Sequence, residues 1–504
     1  VIVSCDDPGE HSSQGEQDNR HFAKFGKIPM LEPTNSQDAY EMMEWAFRIS
    51  EEFDTPVMFR STTRISHCKA VVNVDRERPA DLKKPGFLRH PAKYVMVPSY
   101  ARIRRVAMEE RIVKLRDYAE TFPLNEVIMG DPKLGVISSG IAYQYAREVF
   151  KNASFLKLVT TYPIPANLVR KFAGEVEKLI VIEELDPFIE EEVRLLGIPV
   201  AGKEFIPLIG ELNLEIVEDG AVKAGILPAK PSEKAAAAVQ IPPRRPQLCA
   251  GCPHVGPEFT LRRIAFDSNI KPSANPRVMT EKEIVITGDI GCYTLGVYEP
   301  LGALDTCACM GASIGHSLGM EKAGISNKSI AVLGDSTFMH SGITGLIDVM
   351  YKQGNSTVII LDNGTTAMTG HQGHPGTGIS VTGTKAPEVK LEKLVEGIGI
   401  KDINVISAFD LETLESTIKR CVAAKEPSVI IARGPCSLRE KIKGTPLEVD
   451  ADLCVDCREC LDLGCPAICL LEEQVKIDAS VCVGPTCGIC AQVCPQDAIS
   501  EMKQ

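Results

Sequence analysis

The 504-residue chain has few aromatic side chains, at 5% of its residues, and a single tryptophan, Trp45, so its composition does not point to an aryl-binding pocket. It has no apolar run long enough to cross a membrane and no leader with the pattern of a signal peptide. It also has no basic stripe, and its formal net charge is −12. These absences argue against a membrane protein and against nucleic acid as a partner.

Cysteine is scarce over most of the chain, and half of the 18 cysteines lie between Cys454 and the carboxyl end. Thiols clustered in this way, without a secretory leader, predict a reducing, cytoplasmic location. The chain opens on Val1 in the apolar run "VIVSCDDPG", with no methionine before it. We expect this run to be a strand entered within a domain whose upstream residues are missing.

Two cysteine runs near the carboxyl end, "CVDCRECLDLGCP" and "CVGPTCGICAQVCP", each contain four cysteines with a proline behind the last one. In two-cluster ferredoxins the Cys-Pro cysteine of one run ligates the cluster of the other run. We therefore predict two [4Fe–4S] clusters, held by Cys454, Cys457, Cys460 and Cys494 and by Cys482, Cys487, Cys490 and Cys465. Zinc knuckles and disulfides are the alternatives, and Cys469 is left over as a small buried apolar residue.

The remaining chain alternates apolar runs with helical patterns, which predicts an α/β fold of several doubly wound parallel-sheet domains. The helix "SQDAYEMMEWAFRISEEF", which Ser36 would cap, and the strand "PVMFRSTT" form a βαβ-like unit. Residues 76–125 are predicted as a linker and a helix, and residues 231–247 as a Pro- and Ala-rich linker. A further α/β domain spans 248–435, ahead of the cluster tail at 449–504.

Two strands in this α/β domain end in polar residues. The run "IAVLGDS" places Asp335 after one strand, and "TVIILDN" places Asn363 at the end of the next. Because parallel strands end at the same edge of a sheet, these side chains should face a gap that suits Mg²⁺ bridging to a diphosphate. The alternative is an ordinary βαβ crossover with polar turn residues.

These two strand ends resemble the thiamin diphosphate motif. The resemblance implies that Asp335 and Asn363 ligate Mg²⁺ by their side chains and Thr365 by its carbonyl. Glycine-rich turns let the backbone approach a diphosphate closely. The cofactor-binding candidates are Gly291, Gly311, Gly334, Asp335, Ser336, Asn363 and Thr369. His371, in "TAMTGHQGHPGTG", is a catalytic candidate near the same edge.

Thiamin diphosphate adds to the keto carbon of a 2-oxo acid and holds the electron pair left by CO₂. The two predicted clusters would accept that pair. The combination resembles the 2-oxoacid:ferredoxin oxidoreductase family, most closely its indolepyruvate ferredoxin oxidoreductase alpha subunits, over essentially the whole chain. The resemblance implies that 1–75 is the second half of a pyrimidine-binding domain whose first half is missing. It also implies that 126–230 is a transketolase-C-like domain, 248–435 the diphosphate- and Mg²⁺-binding domain, and 449–504 a 2[4Fe–4S] ferredoxin domain.

The activity implied by this resemblance is oxidative decarboxylation of aryl 2-oxo acids, such as indolepyruvate, to aryl-acetyl-CoA. CoA would be the cosubstrate, ferredoxin the electron acceptor, and a smaller beta subunit the partner in an alpha2beta2 complex. His11, Gln17 and Arg20 fall where relatives have substrate-facing polar residues. Arg20 is a candidate for the substrate carboxylate, with a solvated loop arginine as the alternative. His254 is a further catalytic candidate, and the glutamate that activates thiamin would lie in the missing half.

A third cysteine set is spread over the α/β domain. Cys249 and Cys252 in "CAGCPH", Cys292 in "GDIGC" and Cys436 in "RGPC" look like the ligands of the proximal [4Fe–4S] cluster of pyruvate-type relatives. A free-thiol lining and a disulfide are the alternatives. We expect Cys307 and Cys309 to line the cofactor cleft.

The sequence leaves three other functions open. The first is a pyruvate or branched-chain 2-oxoacid oxidoreductase. The second is a non-oxidative thiamin decarboxylase such as sulfopyruvate decarboxylase, which the tail clusters disfavour. The third is an electron-transfer subunit with a vestigial thiamin domain, which the paired Asp335 and Asn363 disfavour.

Overall fold

The structure is a computed structural model that describes residues 1–74, 86–228, 246–265, 284–325 and 328–502. The chain divides into two compact units, residues 1–236 and residues 237–504. Most of the predicted linker at 231–247 lies outside the described residues, as does part of the linker that begins at 76.

The first unit is built from eight strands and nine helices among its described residues. The strands are β1 (Ile2–Asp6), β2 (Met30–Leu31), β3 (Met58–Thr62), β4 (Glu126–Ile128), β5 (Asp131–Ser138), β6 (Ala153–Lys157), β7 (Thr160–Tyr162) and β8 (Leu179–Ile182). The helices are α1 (Arg20–Gly26), α2 (Ser36–Phe53), α3 (Thr63–His67), α4 (Pro91–Tyr94), α5 (Pro98–Glu120), α6 (Gly140–Val149), α7 (Ala166–Gly174), α8 (Phe188–Leu195) and α9 (Leu214–Lys223).

These strands form two four-stranded sheets, in the orders β1-β3-β2-β7 and β4-β6-β5-β8. Strands β2 and β3 pair in parallel across α2, which confirms the predicted βαβ unit. The predicted cap of α2 is wrong by one residue, because the side chain of Asn35 accepts the N–H of Asp38. Strand β7 pairs antiparallel with β2, so one sheet includes strands from both sides of the predicted boundary at 76–125.

The described part of the second unit contains ten strands. They are β9 (Ile284–Gly288), β10 (Thr306–Cys307), β11 (Lys328–Gly334), β12 (Thr357–Asp362), β13 (Asp402–Ser407), β14 (Ser428–Arg433), β15 (Leu447–Val449), β16 (Ile468–Leu471), β17 (Gln474–Ile477) and β18 (Ile499–Glu501). Its α-helices are α10 (Val255–Ala265), α11 (Ala312–Lys322), α12 (Asp335–Thr337), α13 (Ile343–Tyr351), α14 (Leu391–Ile398), α15 (Leu411–Ala423) and α16 (Ile489–Val493). Short 3-10 helices span Cys292–Val297, Pro375–Thr377 and Glu459–Leu463, and a π turn spans Phe338–Gly342.

Six of these strands form one all-parallel sheet in the order β10-β9-β11-β12-β14-β13. The central strands are rich in Ile, Val and Leu and are buried, as expected for a parallel sheet with both faces covered. Gly334 of β11 pairs with Leu361 of β12, so the two strands end side by side. The predicted fold class is therefore confirmed in this unit, and its strand ends lie where ligands bind in open α/β sheets.

The cysteine-rich tail consists of two antiparallel ribbons, β15-β18 and β16-β17. Leu463 and Ile489 of the tail share a hydrophobic core with Leu248 and Phe259, which flank the turn that holds Cys249 and Cys252. The tail is therefore docked against the start of the α/β domain. Over the described residues, no helix combines the length and the apolar character that a membrane crossing requires.

Candidate active site and cluster ligands

Asp335 is the first residue of α12, directly after β11, and its side chain is buried. Its Oδ1 accepts the N–H of Ser336 at 2.7 Å, and its Oδ2 accepts the N–H of Gly364 at 2.8 Å. Gly364 follows Asn363 at the end of the neighbouring strand. The register of β11 and β12 thus brings the two predicted metal-binding positions to one edge of the sheet.

His374 also reaches Asp335, and the sequence analysis did not single it out. Its Nε2 lies 3.1 Å from Oδ2 of Asp335, and its Nδ1 accepts the N–H of Gly376 at 3.2 Å. Because Nδ1 is an acceptor, the ring proton lies on Nε2, and His374 donates to the carboxylate. Oδ2 is therefore held by two donors, while Oδ1 accepts the N–H of Ser336. The carboxyl of Asp362 also interacts with Asp335, and this interaction contributes to the raised pKa of Asp362.

His254 lies on the other side of this edge and is 3% exposed. Its Nε2 is 3.3 Å from Nδ2 of Asn363. Burial lowers the pKa of His254 to about 4, and the charge of Asp335 offsets this only in part. A neutral ring accepts the amide N–H of Asn363, which turns the oxygen of that amide away from His254.

Tyr293 packs edge-on against His254, with 5.7 Å between the ring centroids. Its ring also lies over Gly291 and Gly334, where an added Cβ would come within 2.3 Å and 3.0 Å of it. These two predicted cofactor-binding glycines therefore have a packing role, because each makes room for the Tyr293 ring.

Gly311 adopts a left-handed conformation, with φ of 89°, ahead of α11. Its N–H and that of Ser313 are donated to the buried carboxylate of Asp289, at 2.9 Å and 2.7 Å. Asp289 thus accepts two N–H groups at the start of α11, where a helix could otherwise offer them to a phosphate. A signal for Asp289 was present in the sequence, because it follows an apolar strand just as Asp335 does.

The other predicted residues of this site differ in their exposure. Thr365 is buried and donates its N–H to Oδ1 of Asn363, and Ser336 accepts the hydroxyl of Thr366. Thr369 and His371 lie in an exposed turn, where Thr369 bonds Gln372 and His371 has φ of 61°. Of His371 and His374 in this loop, His374 is the histidine that reaches Asp335 at the strand edge.

The four dispersed cysteines of the α/β domain lie together. Burial raises the pKa of Cys252, and the charges of Cys249, Cys292 and Cys436 raise it further. Burial also raises the pKa of Cys292 to about 11, again with Cys249 and Cys436 contributing. Three separate segments of chain therefore bring these thiols into one group.

The tail cysteines form two groups with the predicted membership. Burial raises the pKa of Cys460 to about 11, and the neighbouring thiolates that add to this shift are Cys457, Cys494 and Cys454. Burial raises the pKa of Cys490 to about 12, with contributions from Cys487, Cys465 and Cys482. Each group therefore includes the last cysteine of the other run.

All 18 cysteines are free thiols, so the structure does not support the disulfide alternatives. The prediction that Cys469 is buried is wrong, because it lies exposed on the ribbon strand β16. Cys307 lies at the end of the edge strand β10 and is half-buried, and Cys309 is exposed. Their predicted place in the cofactor cleft stays a prediction.

Arg20 does not fit either role predicted for it, since it is 1% exposed. Its guanidinium donates to Asp18 and Glu183, both at 2.5 Å, and to the carbonyls of Glu184 and Asp186. Burial opposes its charge, but Asp18 and Glu183 hold the pKa of Arg20 well above its ordinary value. Arg20 is thus a buried structural ion, because Nε, Nη1 and Nη2 all have protein acceptors. His11 and Gln17 are exposed, and His11 pairs with Glu211.

We expect Arg20→Met to lower the free energy of unfolding by about 3–5 kcal/mol, since it leaves Asp18 and Glu183 buried without their counter-ion. Chemical denaturation at neutral pH measures this loss. The matched control is Arg48→Met, which removes a largely exposed arginine paired with Glu44 and should cost about 0.5 kcal/mol or less. Equal stability of the two variants would contradict the structural role of Arg20.

The residues at the strand edge fit a divalent cation. The carboxylate of Asp335 and the amide oxygen of Asn363 are hard oxygen ligands of the kind that Mg²⁺ prefers. The cysteine groups likewise fit iron–sulfur clusters, since each contains four thiols from segments that the fold brings together.

Comparison with known proteins gave a match to one family model and matches to relatives that align with nearly the whole of this chain. Residues 289–432 match the model "Thiamine pyrophosphate enzyme, C-terminal TPP binding domain". The chain is 37% identical over 523 residues to "Indolepyruvate oxidoreductase subunit IorA" of Archaeoglobus fulgidus, covering 100% of this chain and 81% of that relative. It is 38% identical over 515 residues to the protein of the same name from Methanothermobacter marburgensis, covering 99% and 81%.

Among solved structures, a 2-oxoglutarate:ferredoxin oxidoreductase from Magnetococcus marinus is 17% identical, with a TM-score of 0.32. That match covers 39% of this chain and 66% of the other.

Proposed function

The chain belongs to the family of indolepyruvate oxidoreductase subunit IorA, and on this premise we propose that it is the catalytic alpha subunit of a 2-oxoacid:ferredoxin oxidoreductase. Its substrates are aryl 2-oxo acids such as indolepyruvate, and its products are an aryl-acetyl-CoA and CO₂. The observation that carries the proposal is that one unit of the chain combines an oxygen-lined strand edge with three groups of four cysteines.

The residues at the strand edge would hold Mg²⁺ and thiamin diphosphate. Asp335 presents Oδ1 because His374 and Gly364 hold its other oxygen. Asn363 presents its amide oxygen because the neutral ring of His254 lies at its nitrogen. Thiamin diphosphate, when bound, supplies the carbon nucleophile and the electron sink for decarboxylation. Asp335 and His254 are buried, so bulk water is kept from these two side chains.

The three cysteine groups suggest an order of electron transfer away from this edge. Cys252 is two residues from His254, which lies beside Asn363. Gly251, between Cys249 and Cys252, lies against Val483 of the tail, and its backbone bonds the Cys465 thiol. The group of Cys465, Cys482, Cys487 and Cys490 would therefore be second. The group of Cys454, Cys457, Cys460 and Cys494 would be last, and its exposed member Cys457 would face the acceptor, ferredoxin.

An assay of the complete alpha chain with its beta subunit tests the proposal. Indolepyruvate, phenylpyruvate, pyruvate and branched-chain 2-oxo acids are each offered with CoA and a viologen dye. We expect CoA-dependent dye reduction that is fastest with the aryl substrates. We also expect no turnover by the alpha chain alone, because the proposed active form is an alpha2beta2 complex. Faster turnover of pyruvate would assign the other substrate class. If the protein exchanges electrons with the dye but turns over none of the 2-oxo acids, an electron-transfer subunit would be favoured.

A further inference from the structure

Tyr293 contacts a residue beside each of the two side chains predicted to ligate Mg²⁺, although the proposed mechanism gives it no role. Its ring is 3% exposed and packs edge-on against His254, whose Nε2 lies 3.3 Å from the amide nitrogen of Asn363. The ring also lies against Gly334, the residue before Asp335, where an added Cβ would be 3.0 Å from it. One aromatic ring therefore packs behind both ends of the strand edge.

The hydroxyl of Tyr293 fixes the position of this ring. It donates to the carbonyl of Ile290 at 3.1 Å and lies 3.5 Å from Oγ1 of Thr337, the last residue of the helix α12 that begins at Asp335. Gly291 leaves room for the ring, since an added Cβ there would be 2.3 Å from it. In a close-packed interior, a ring held at both its face and its hydroxyl has little freedom to move.

Tyr293 and His254 also adjoin the four dispersed cysteines, Cys249, Cys252, Cys292 and Cys436. Tyr293 directly follows Cys292, and His254 is two residues after Cys252. The backbone N–H of His254 is donated to the thiol of Cys252. The two loops that supply these cysteines therefore also supply the two rings at the strand edge.

Pro253 packs these loops against the segment that carries Cys436. A Cβ added to Gly434, two residues before Cys436, would be 2.9 Å from Cβ of Pro253. The N–H of Cys252 is donated to the carbonyl of Cys249 at 3.1 Å, which closes the turn between these two cysteines. The histidine that follows Pro253 is therefore positioned by the same turn and packing that position three of the thiols.

We propose that a cluster held by the four dispersed cysteines raises the affinity of the strand edge for thiamin diphosphate and Mg²⁺. This inference rests on the proposed function. Thiolates bound to one cluster fix the turns at Cys252 and Cys292, and these turns fix the rings of His254 and Tyr293. Without the cluster the turns have more conformations, and ordering them consumes part of the free energy of cofactor binding.

Tyr293 is a positioning residue in this inference, because it acts through His254 on the amide of Asn363. The coupling would keep the cofactor from binding firmly to a chain that has no acceptor for its electrons. It would therefore join the loading of the cluster to the loading of the cofactor.

Calorimetric titration of thiamin diphosphate with Mg²⁺ tests the inference on the complex of alpha and beta subunits freed of both. Cys249→Ser removes a thiol that is not a predicted ligand of this cofactor. The variant should lose about four irons and bind the cofactor about 10-fold more weakly or worse. Cys494→Ser, which removes the last cluster of the proposed order, should lose as many irons and keep the native affinity.

Substitutions of Tyr293 test the ring with every cluster in place. Tyr293→Leu leaves His254 without its aromatic neighbour and should weaken cofactor binding by about 10-fold. Tyr293→Phe keeps the ring and should restore nearly native affinity. Tyr351→Leu, which removes an exposed tyrosine at the end of α13, is the matched control and should bind as the native protein does. Equal affinity of the leucine and phenylalanine variants of Tyr293 would contradict the positioning role.

A measurement on the native complex does not depend on the folding of a variant. Because the coupling between two binding sites is reciprocal, thiamin diphosphate and Mg²⁺ should protect about four irons per alpha chain from an iron chelator. Equal iron loss with and without the cofactor would overturn the inference.

Two outcomes with Cys249→Ser would also overturn it and leave the rest of the proposed function intact. One is native cofactor affinity after loss of about four irons, and the other is retention of every iron, which would show that Cys249 is not a ligand. A native complex that contains no iron or binds no thiamin diphosphate would overturn the proposed function and, with it, this inference.

Discussion

Asp335→Ala is expected to abolish retention of thiamin diphosphate and Mg²⁺ and to leave the tail clusters intact. The carboxylate is the one anionic ligand predicted for the metal, and it is held by His374, Gly364 and Ser336. Loss of an outer partner of a metal ligand typically costs about 10- to 100-fold in affinity, so loss of the ligand itself should cost more than about 100-fold. Titration calorimetry with thiamin diphosphate in the presence of Mg²⁺ measures this.

Two substitutions of His374 test whether its hydrogen bond to Asp335 supports cofactor binding, and Asp348→Ala is the control. His374→Gln keeps an N–H near the position of Nε2 and should bind the cofactor better than His374→Leu, which has no donor. Asp348→Ala removes a half-exposed aspartate paired with Lys352 on α13 and should bind as the native protein does. Full cofactor occupancy in Asp335→Ala would reject the assignment of the strand edge as the metal site.

Cys494→Ser is expected to destroy the cluster of Cys454, Cys457 and Cys460, although Cys494 belongs to the other cysteine run. The reason is that the fold places Cys494 beside Cys460 and places Cys465 beside Cys490. The variant should lose about four irons and the EPR signal of one cluster. Cys469→Ser is the matched control, since Cys469 is exposed and outside both groups.

Iron analysis of the native complex also decides the third cluster. About twelve irons per alpha chain would support ligation by Cys249, Cys252, Cys292 and Cys436, and about eight would reject it.

If Cys494→Ser disturbs the signal of the Cys482, Cys487 and Cys490 group instead, the crossed ligation is wrong.

Much of the fold and the family was predictable because the signals are local. The strand–helix–strand run from 330 to 363 predicts two parallel strands whose ends meet, and β11 and β12 confirm it. Family membership, first inferred from the cysteine runs and this motif, is confirmed by relatives that align over the whole chain. The helix cap was misplaced by one residue because Asn35 and Ser36 are both good caps, and only the backbone decides between them.

The contacts of single charged side chains were less predictable. Arg20 is expected at the substrate from the resemblance to relatives with polar residues there, but the fold places it against Glu183, which is 163 residues away. The sequence analysis names His371 of this loop and not His374, since sequence spacing does not say which of two nearby histidines turns inward. The turn at Gly376 decides this by donating to Nδ1 of His374.

The sequence by itself determined the parallel α/β fold, the pairing of Asp335 with Asn363 at one strand edge, and the family. In each case the spacing of residues along a short segment, or the order of strands, sets the geometry. Only the tertiary structure decided that Cys249, Cys252, Cys292 and Cys436 meet, and that His374 and His254 flank the strand edge. These arrangements join segments far apart in the chain, and packing of the whole unit fixes which side chains face each other.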